Sequence, residues 1–268
     1  MSSHALVTGA SAGIGTAFAR SLAASGWDLV LVARSRERLE ELARSLSGEH
    51  RVQVEVCAAD LSGDSGVAAT EEKIRNLPAL DLLVNNAGFG TYGQFADLPA
   101  EQEAAEIRLN VLALARLTRA ALPGMLTRGR GSIINVSSIA GFQAAPFNAT
   151  YGATKAFVTS FTEALSEEVR GTGVRVQALC PGLTRTEFQD RAGIDISSVP
   201  AFASMSAEEV VDSSLAALET GQVVHIPGVT NRILSGVTSL VPRAIARRLA
   251  GVALAGFGRE DPSSEEQS

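Results

Sequence analysis

Short, nearly continuous runs of Val, Leu and Ile alternate with helix-period segments along this 268-residue chain, and that alternation constrains its fold more than any other feature. The runs are Ala5–Thr8, Leu29–Ala33, Val52–Cys57, Leu80–Asn85, Ser132–Ser137, Val174–Leu179 and Val223–Ile226. A strand with one wet face alternates apolar and polar residues. Most of these do not, so both faces are expected to be covered, as in a parallel sheet packed between helices. Helical spacing marks Arg36–Leu46 and Pro99–Leu122. The second opens with Pro and acids in its first turn and is predicted to end before Pro123 and Gly124. Repeated β-α units with right-handed crossovers predict an α/β fold. Its doubly wound sheet would hold about seven mostly parallel strands, with helices on both faces.

No linker, repeat or low-complexity stretch interrupts residues 1–258, which read as one domain. Within it, Glu187–Ser204 lacks periodicity and holds Gly193 and Pro200, as a mobile lid would. Residues 232–257 are apolar and helical in pattern. Ile245, Leu249 and Val252 recur on one face, with Arg243, Arg247 and Arg248 on another. Packing on the body or against another subunit is the first reading of that segment; a peripheral membrane contact is the alternative. Residues 259–268 read as a disordered acidic tail. The net charge is −6, but four acids lie in that tail, leaving a nearly neutral body with no basic footprint for nucleic acid. Cys57 and Cys180 lie inside apolar stretches and are predicted to be buried free thiols. His4, His50 and His225 have no metal-ligand spacing, so no metal is expected. No signal peptide and no uninterrupted membrane span are visible, and a cytoplasmic protein is expected.

Gly9-Ala10-Ser11-Ala12-Gly13-Ile14-Gly15 follows the first strand and opens the first helix. Glycines there let the backbone turn tightly and approach a pyrophosphate, which sits against the positive helix N-terminus in a Rossmann-like fold. The spacing, however, is G-x-x-x-G-x-G rather than G-x-G-x-x-G.

A second signal is scarcity. All but two of the 23 basic residues are Arg, the exceptions being Lys73 and Lys155, and the only tyrosines are Tyr92 and Tyr151. A Tyr and a Lys spaced as Tyr151 and Lys155 arise by chance roughly once in 70 such chains. Both lie on a helical pattern running to about Val169, where i and i+4 share a face. A phenol with a pKa near ~10 is a poor acid–base at neutral pH, and an adjacent ammonium, with the positive ring of an oxidised nicotinamide if one is bound, is expected to lower it.

Together with Thr8, these features resemble the short-chain dehydrogenase/reductase family in its short single-domain branch. Its other marks follow in order: Asn85-Asn86-Ala87-Gly88, Ser138, Tyr151-x-x-x-Lys155 and Pro181-Gly182-x-x-x-Thr186. The resemblance spans about residues 4 to 230. It implies a catalytic set of Asn110, Ser138, Tyr151 and Lys155. Ser138 is favoured over Ser137 by its offset, and Asn110 would hold a water in a proton relay through the Lys. It also implies nicotinamide-cofactor contacts from the glycine loop, from Asp60 and Leu61 at the adenine, and from Asn86, Ala87 and Gly88. Lys155 would contact the nicotinamide ribose. Pro181, Gly182, Leu183 and Thr186 would lie at the carboxamide, with Thr184 the weaker hydroxyl.

In NAD-binding relatives an acid ends the second strand. Here Arg34 and Ser35 stand there, and a guanidinium fork suits the 2′-phosphate of NADP(H). The competing reading is that Arg34 and Arg36 merely begin a solvated helix. For Asp60, a helix N-cap is the alternative. Phe89, Phe142, Phe147 and Phe188, with Leu183 and Ser138, are expected to line an apolar pocket for a small carbonyl or alcohol. A homodimer or homotetramer is expected. The leading function is an NADP(H)-dependent oxidoreductase. The alternative is a catalytically silent cofactor-binding regulator or scaffold. An epimerase or dehydratase of the longer branch conflicts with the glycine spacing.

Overall fold

A computed structural model describes residues 3–186 and 204–232. Seven strands form one sheet: β1 (His4–Thr8), β2 (Asp28–Ala33), β3 (Val54–Ala58), β4 (Leu82–Asn85), β5 (Gly131–Val136), β6 (Val174–Leu179) and β7 (Val224–His225). Their order is β3-β2-β1-β4-β5-β6-β7, and every pairing is parallel. This is the doubly wound Rossmann-like sheet expected from the sequence. The chain winds outward from β1 to β3, then crosses back to place β4 against β1. The carboxyl ends of β1 and β4 therefore flank the switch point, where such sheets bind ligands.

Helices α1 (Gly13–Ala24), α2 (Arg36–His50) and α7 (Ala207–Glu219) cover one face. Phe18, Leu39, Leu46 and Val210 form its core, each with no exposed surface. Helices α3 (Asp64–Asn76), α4 (Ala100–Ile107), α5 (Leu114–Arg128) and α6 (Ala149–Glu168) cover the other. Leu83, Leu117, Met125 and Ile133 are buried there. Each such side chain contributes about 1.5–3 kcal/mol through burial.

The segment expected as one helix over Pro99–Leu122 differs in two ways. It is split by a π-helical turn at Arg108–Ala113, and it runs through Pro123 to Arg128. Proline in a helix removes a backbone donor and normally breaks it. Here the carbonyl left without its donor belongs to Arg119, an exposed residue on the outer side of the helix. Buried Ala121 and Met125 meanwhile hold the helix on the sheet. The helix stops instead at Gly129, left-handed at φ 63°, whose N–H bonds to the carbonyl of Leu126. Cys180 is buried, but Cys57 is only half-buried; both are free thiols. The proposed lid (Ser204 excepted), Phe188, the 232–257 segment past Arg232 and the acidic tail lie outside the described residues.

A polar ladder crosses the sheet beneath the switch point. Asn85 Nδ2 donates to Thr118 Oγ1 at 3.0 Å and to Asn135 Oδ1 at 2.9 Å, and Asn135 Nδ2 donates to Thr162 Oγ1 at 3.0 Å. All four residues are buried, and the two amides stand opposite each other in the β4–β5 register.

Candidate active site

The glycine loop leaves β1 and enters α1 at the switch point. Gly13 has φ 54°, a left-handed value that a side chain would strain. Gly15 has no room for a side chain: a Cβ would stand 2.2 Å from the carbonyl oxygen of Gly9 and 2.6 Å from Asn86 Nδ2. At the start of α1, Ala12 offers no side-chain cap and no acid lies in the first turn. The backbone N–H groups of Gly13, Ile14 and Gly15 thus point out of the helix without intrahelical partners, a cradle for an anion. Ser11, Ala12 and Gly13 line one wall of a cleft of about 680 Å³, and Arg185, Thr186 and Met205 line another.

Thr8 and Asn86 clamp this loop to the turn after β4. Thr8 Oγ1 donates to the carbonyl of Val84 and accepts from the N–H groups of Asn86 and Ala87, both at 2.9 Å. Asn86 Nδ2 returns the contact, donating to the carbonyls of Thr8 and Gly9 at 2.9 and 3.3 Å. Asn86 therefore spends its amide on the loop. That makes it a positioning residue, with Ala87 and Gly88 presenting backbone beside it.

At the end of β2, Arg34 is exposed and makes no salt bridge among the described residues, whereas Arg36 pairs with Glu40. Ser35 is the N-cap of α2, accepting from the Arg38 N–H at 3.4 Å. Asp60 is not a helix N-cap; that position in α3 is Gly63. Its Oδ1 accepts from the N–H and hydroxyl of Ser62 at 3.0 and 2.7 Å. Those bonds, hydroxyl first, hold its carboxyl below the usual range, with Arg34 adding to the effect. Leu61 is buried in the core.

Tyr151 and Lys155 share one face of α6, and Ser138, capping a 3-10 turn at Ile139–Phe142, hydrogen-bonds Tyr151. Ser137 is buried, its hydroxyl donating to the Lys155 carbonyl at 2.7 Å; Ser138 is thus the free-facing member of the pair. Burial pushes Tyr151 up to about 12, and the Ser138 bond offsets only part of that. Lys155 Nζ lies 5.5 Å from the ring centroid and donates to the Val136 carbonyl at 2.9 Å. Its charge is directed at that carbonyl rather than at the phenol. Burial also brings Lys155 down to about 8, so it stays mainly charged at neutral pH. Asn110 sits in the π-helical turn with its amide fully engaged. Nδ2 donates to the Phe89 carbonyl (2.8 Å) and Thr154 Oγ1 (3.1 Å), while Oδ1 accepts from the Phe89 N–H (3.2 Å). It pins the Gly88–Phe89 turn.

After β6, the Pro181 carbonyl accepts from the Ile139 N–H at 3.1 Å, tying this loop to Ser138's turn. Gly182 packs against Asn231, and Leu183 accepts from the Met205 N–H at 3.0 Å. Thr186 lies against Gly13, 2.9 Å from where a Cβ would be. Thr184 is buried and donates to the Gly182 carbonyl at 3.2 Å. Of the expected pocket, Phe147 is tilted against Tyr92 with centroids 6.2 Å apart, and its φ of 63° is unusual for a bulky residue. Phe89 is half-buried in the turn held by Asn110, and Phe142 is exposed at the end of Ser138's turn.

A family model described as short chain dehydrogenase matches residues 3–196. The chain belongs to the short-chain dehydrogenase/reductase family. Among solved members, a short-chain dehydrogenase from Sphingobium yanoikuyae in complex with NADPH is 37% identical with a TM-score of 0.81. It covers 98% of this chain and 99% of its own. The bulky-bulky ketone specific alcohol dehydrogenase of Comamonas testosteroni is 33% identical over 90% of this chain and 96% of its own, with a TM-score of 0.76. Sulfoacetaldehyde reductase 2 of Chromohalobacter salexigens is 40% identical over 70% of this chain and 75% of its own. This short-chain dehydrogenase/reductase is accordingly an oxidoreductase of CH–OH groups with a nicotinamide-binding fold. Among the described residues no helix is long and apolar enough to cross a membrane.

Sequence reasoning missed Thr8 as the loop clamp and a buried acidic pair, Glu103 and Glu106, beside Tyr151. A signal for the second was present: Glu103, Glu106, Asn110, Ala113 and Leu117 recur at helical spacing on the core-facing stripe.

Proposed function

We propose that this protein interconverts a carbonyl and an alcohol on a small to medium apolar substrate, using NADP(H), with Tyr151 as general acid/base. The observation that carries this reading is the Ser138–Tyr151–Lys155 group at the carboxyl ends of β5 and α6's first turns, beside an anion cradle. The glycine loop fits a dinucleotide: its helix N-terminus is uncapped, and Gly13 and Gly15 leave the approach open. Gly9, Ser11, Ala12, Ile14, Ala87, Gly88, Thr186 and the backbone at Leu61 and Gly182 would hold it. Arg34 and Ser35 would take the 2′-phosphate.

When bound, the nicotinamide supplies or accepts the hydride. Ser138 donates a hydrogen bond to the substrate oxygen. Tyr151, a neutral phenol at working pH, gives its proton to that oxygen during reduction. Lys155 keeps a positive charge under the ring that stabilises the phenolate left behind. Asn110 acts as a positioning residue for the Gly88–Phe89 turn. Phe89, Phe142, Phe147 and Phe188 favour an apolar substrate, and the Comamonas relative is specific for bulky-bulky ketones, a carbonyl class. Exposed Ile107, Leu112 and Phe157 support a homodimer or homotetramer. A single cytoplasmic domain remains our reading of the whole chain.

Following NADPH absorbance across a panel of apolar ketones and aldehydes tests this. Oxidation with at least one supports it, whereas tight NADPH binding with none favours a silent binder. Arg34→Ala should weaken NADPH about 10–100-fold and leave NADH nearly unchanged, since a charged hydrogen bond contributes about 1.5–3 kcal/mol. Paired fluorescence titrations read this directly, and equal losses for both cofactors would remove Arg34 from the phosphate site.

A further inference from the structure

Two carboxyl groups lie buried on α4 facing the loop after β4. Glu106 has no exposed surface, Glu103 is 7% exposed and Thr91 8%. Thr91 stands between them, its Oγ1 2.5 Å from Glu103 Oε1 and 3.0 Å from Glu106 Oε2. The Thr91 N–H also donates to Glu106 Oε2, at 3.0 Å. Thr150, next to Tyr151, donates its hydroxyl to Glu103 Oε2, and Asn148 Nδ2 donates to the Thr91 carbonyl.

Counting protons decides the charge state. A threonine hydroxyl carries one proton and cannot satisfy two carboxylates at once. Both oxygens of Glu103 contact hydroxyls, Thr91 Oγ1 at Oε1 and Thr150 Oγ1 at Oε2. Glu106 Oε1 has no partner among the described residues, so an ionised Glu106 would bury a bare charged oxygen, and the further proton belongs on Glu106. With that proton on Glu106, the single Thr91 Oγ1–H is left to donate to Glu103 Oε1.

The segment held this way walls the reacting groups. A Cβ on Gly90 would stand 2.8 Å from the Tyr151 ring, and one on Gly88 would stand 2.9 Å from Asn110 Oδ1 and 3.5 Å from Lys155 Nζ. We propose that Glu106 is a positioning residue for the reaction: as a neutral acid it closes a Glu106–Thr91–Glu103 clasp that holds Gly88–Thr91 against Tyr151, and loss of its proton opens the clasp. Charged and titratable groups face it from each packed element: Glu103 on its own helix, and Lys155 and Tyr151 on α6. Burial, with Glu103, favours the acid and holds Glu106 at about 7. Lys155 and the Thr91 hydrogen bonds oppose this without cancelling it. The sign follows: the clasp is closed below that value and opens as pH rises through it.

The proposal rests on the carbonyl–alcohol reading, so its test has one arm that needs no turnover. In difference infrared spectra of the wild-type protein, a buried carboxylic C=O band should be present at about pH 6 and gone by about pH 8. Glu106→Gln should lack it. With an active substrate, wild-type kcat/KM should fall about tenfold per pH unit above about 7, and Glu106→Gln, neutral at every pH, should hold level until Lys155 titrates at about 8. Thr91→Val should lower kcat/KM and shift the band's titration, while Thr91→Ser should restore both. Should Glu106→Gln not fold, the Thr91 pair decides. No titrating band in the wild type, or an unmoved limb in Glu106→Gln, overturns the proposal. A normal band in a protein that reduces no carbonyl would instead count against the reaction.

Discussion

Tyr151→Phe lowers turnover by roughly 10²–10⁴-fold while leaving NADPH affinity within a few-fold of wild type, the range expected when a general acid is deleted. The substitution takes away one oxygen and keeps the ring. The ring is what packs against Gly90 and what Lys155 overlies at 5.5 Å, so the walls of the site stay in place. What is lost is the proton donor and the Ser138 hydrogen bond. The phenol rises to about 12 by burial, so in the wild type it holds its proton across neutral pH and is primed for the reducing direction. Single-turnover absorbance with a slow ketone, beside a fluorescence titration of NADPH, separates chemistry from binding. A variant that retained most of its single-turnover rate would move the acid to another residue.

Gly15→Ala is the second large effect, and two magnitudes compete in it. Alanine in a helix is favoured over glycine by about 1 kcal/mol. Against this, the new methyl group would stand 2.2 Å from the Gly9 carbonyl oxygen and 2.6 Å from Asn86 Nδ2, and both are fixed. Gly9 follows the clamped Thr8, and Asn86 is bonded to both residues. Overpacking of this kind costs about 1–3 kcal/mol before the loop moves. The clash wins, so the melting temperature falls, and the shifted loop no longer presents its N–H groups in line. NADPH affinity should drop at least about 100-fold, since several charge-assisted hydrogen bonds are lost together. Calorimetric melting and NADPH fluorescence quenching read the two effects. An unchanged dissociation constant would mean that the cofactor does not use this loop.

The parts legible in the sequence are those encoded by local pattern. Seven apolar runs mark seven strands to within about two residues, because strands covered on both faces carry no alternation to misread. The Tyr151/Lys155 spacing likewise places both residues on one helical face. The parts not legible depend on what a residue meets across space. Pro123 reads as a stop, yet it lies on an exposed face of a helix that buried Ala121 and Met125 hold on the sheet. Asn110 reads as a polar residue needing partners, but the π-helical turn that aims its amide at Phe89 leaves no mark in the periodicity. The phenol's rise depends on burial and on where the ammonium points, and sequence supplies the neighbour without its direction.

The polar ladder beneath the switch point has a consequence for how the strands align. Uniformly apolar strands are poor at fixing their own register, because a shift of two residues exchanges one aliphatic side chain for another. Sliding β4 by two along β5 would set Asn85 against Ile133 instead of Asn135, stranding two amides in the interior. Each stranded group costs about 1–3 kcal/mol, a large fraction of the stability of an ordinary domain. The ladder therefore works as an alignment pin. It lies one strand-end away from Asn86 and three residues before Ser138, so the same four side chains that exclude a slipped sheet also set the height at which those two residues emerge.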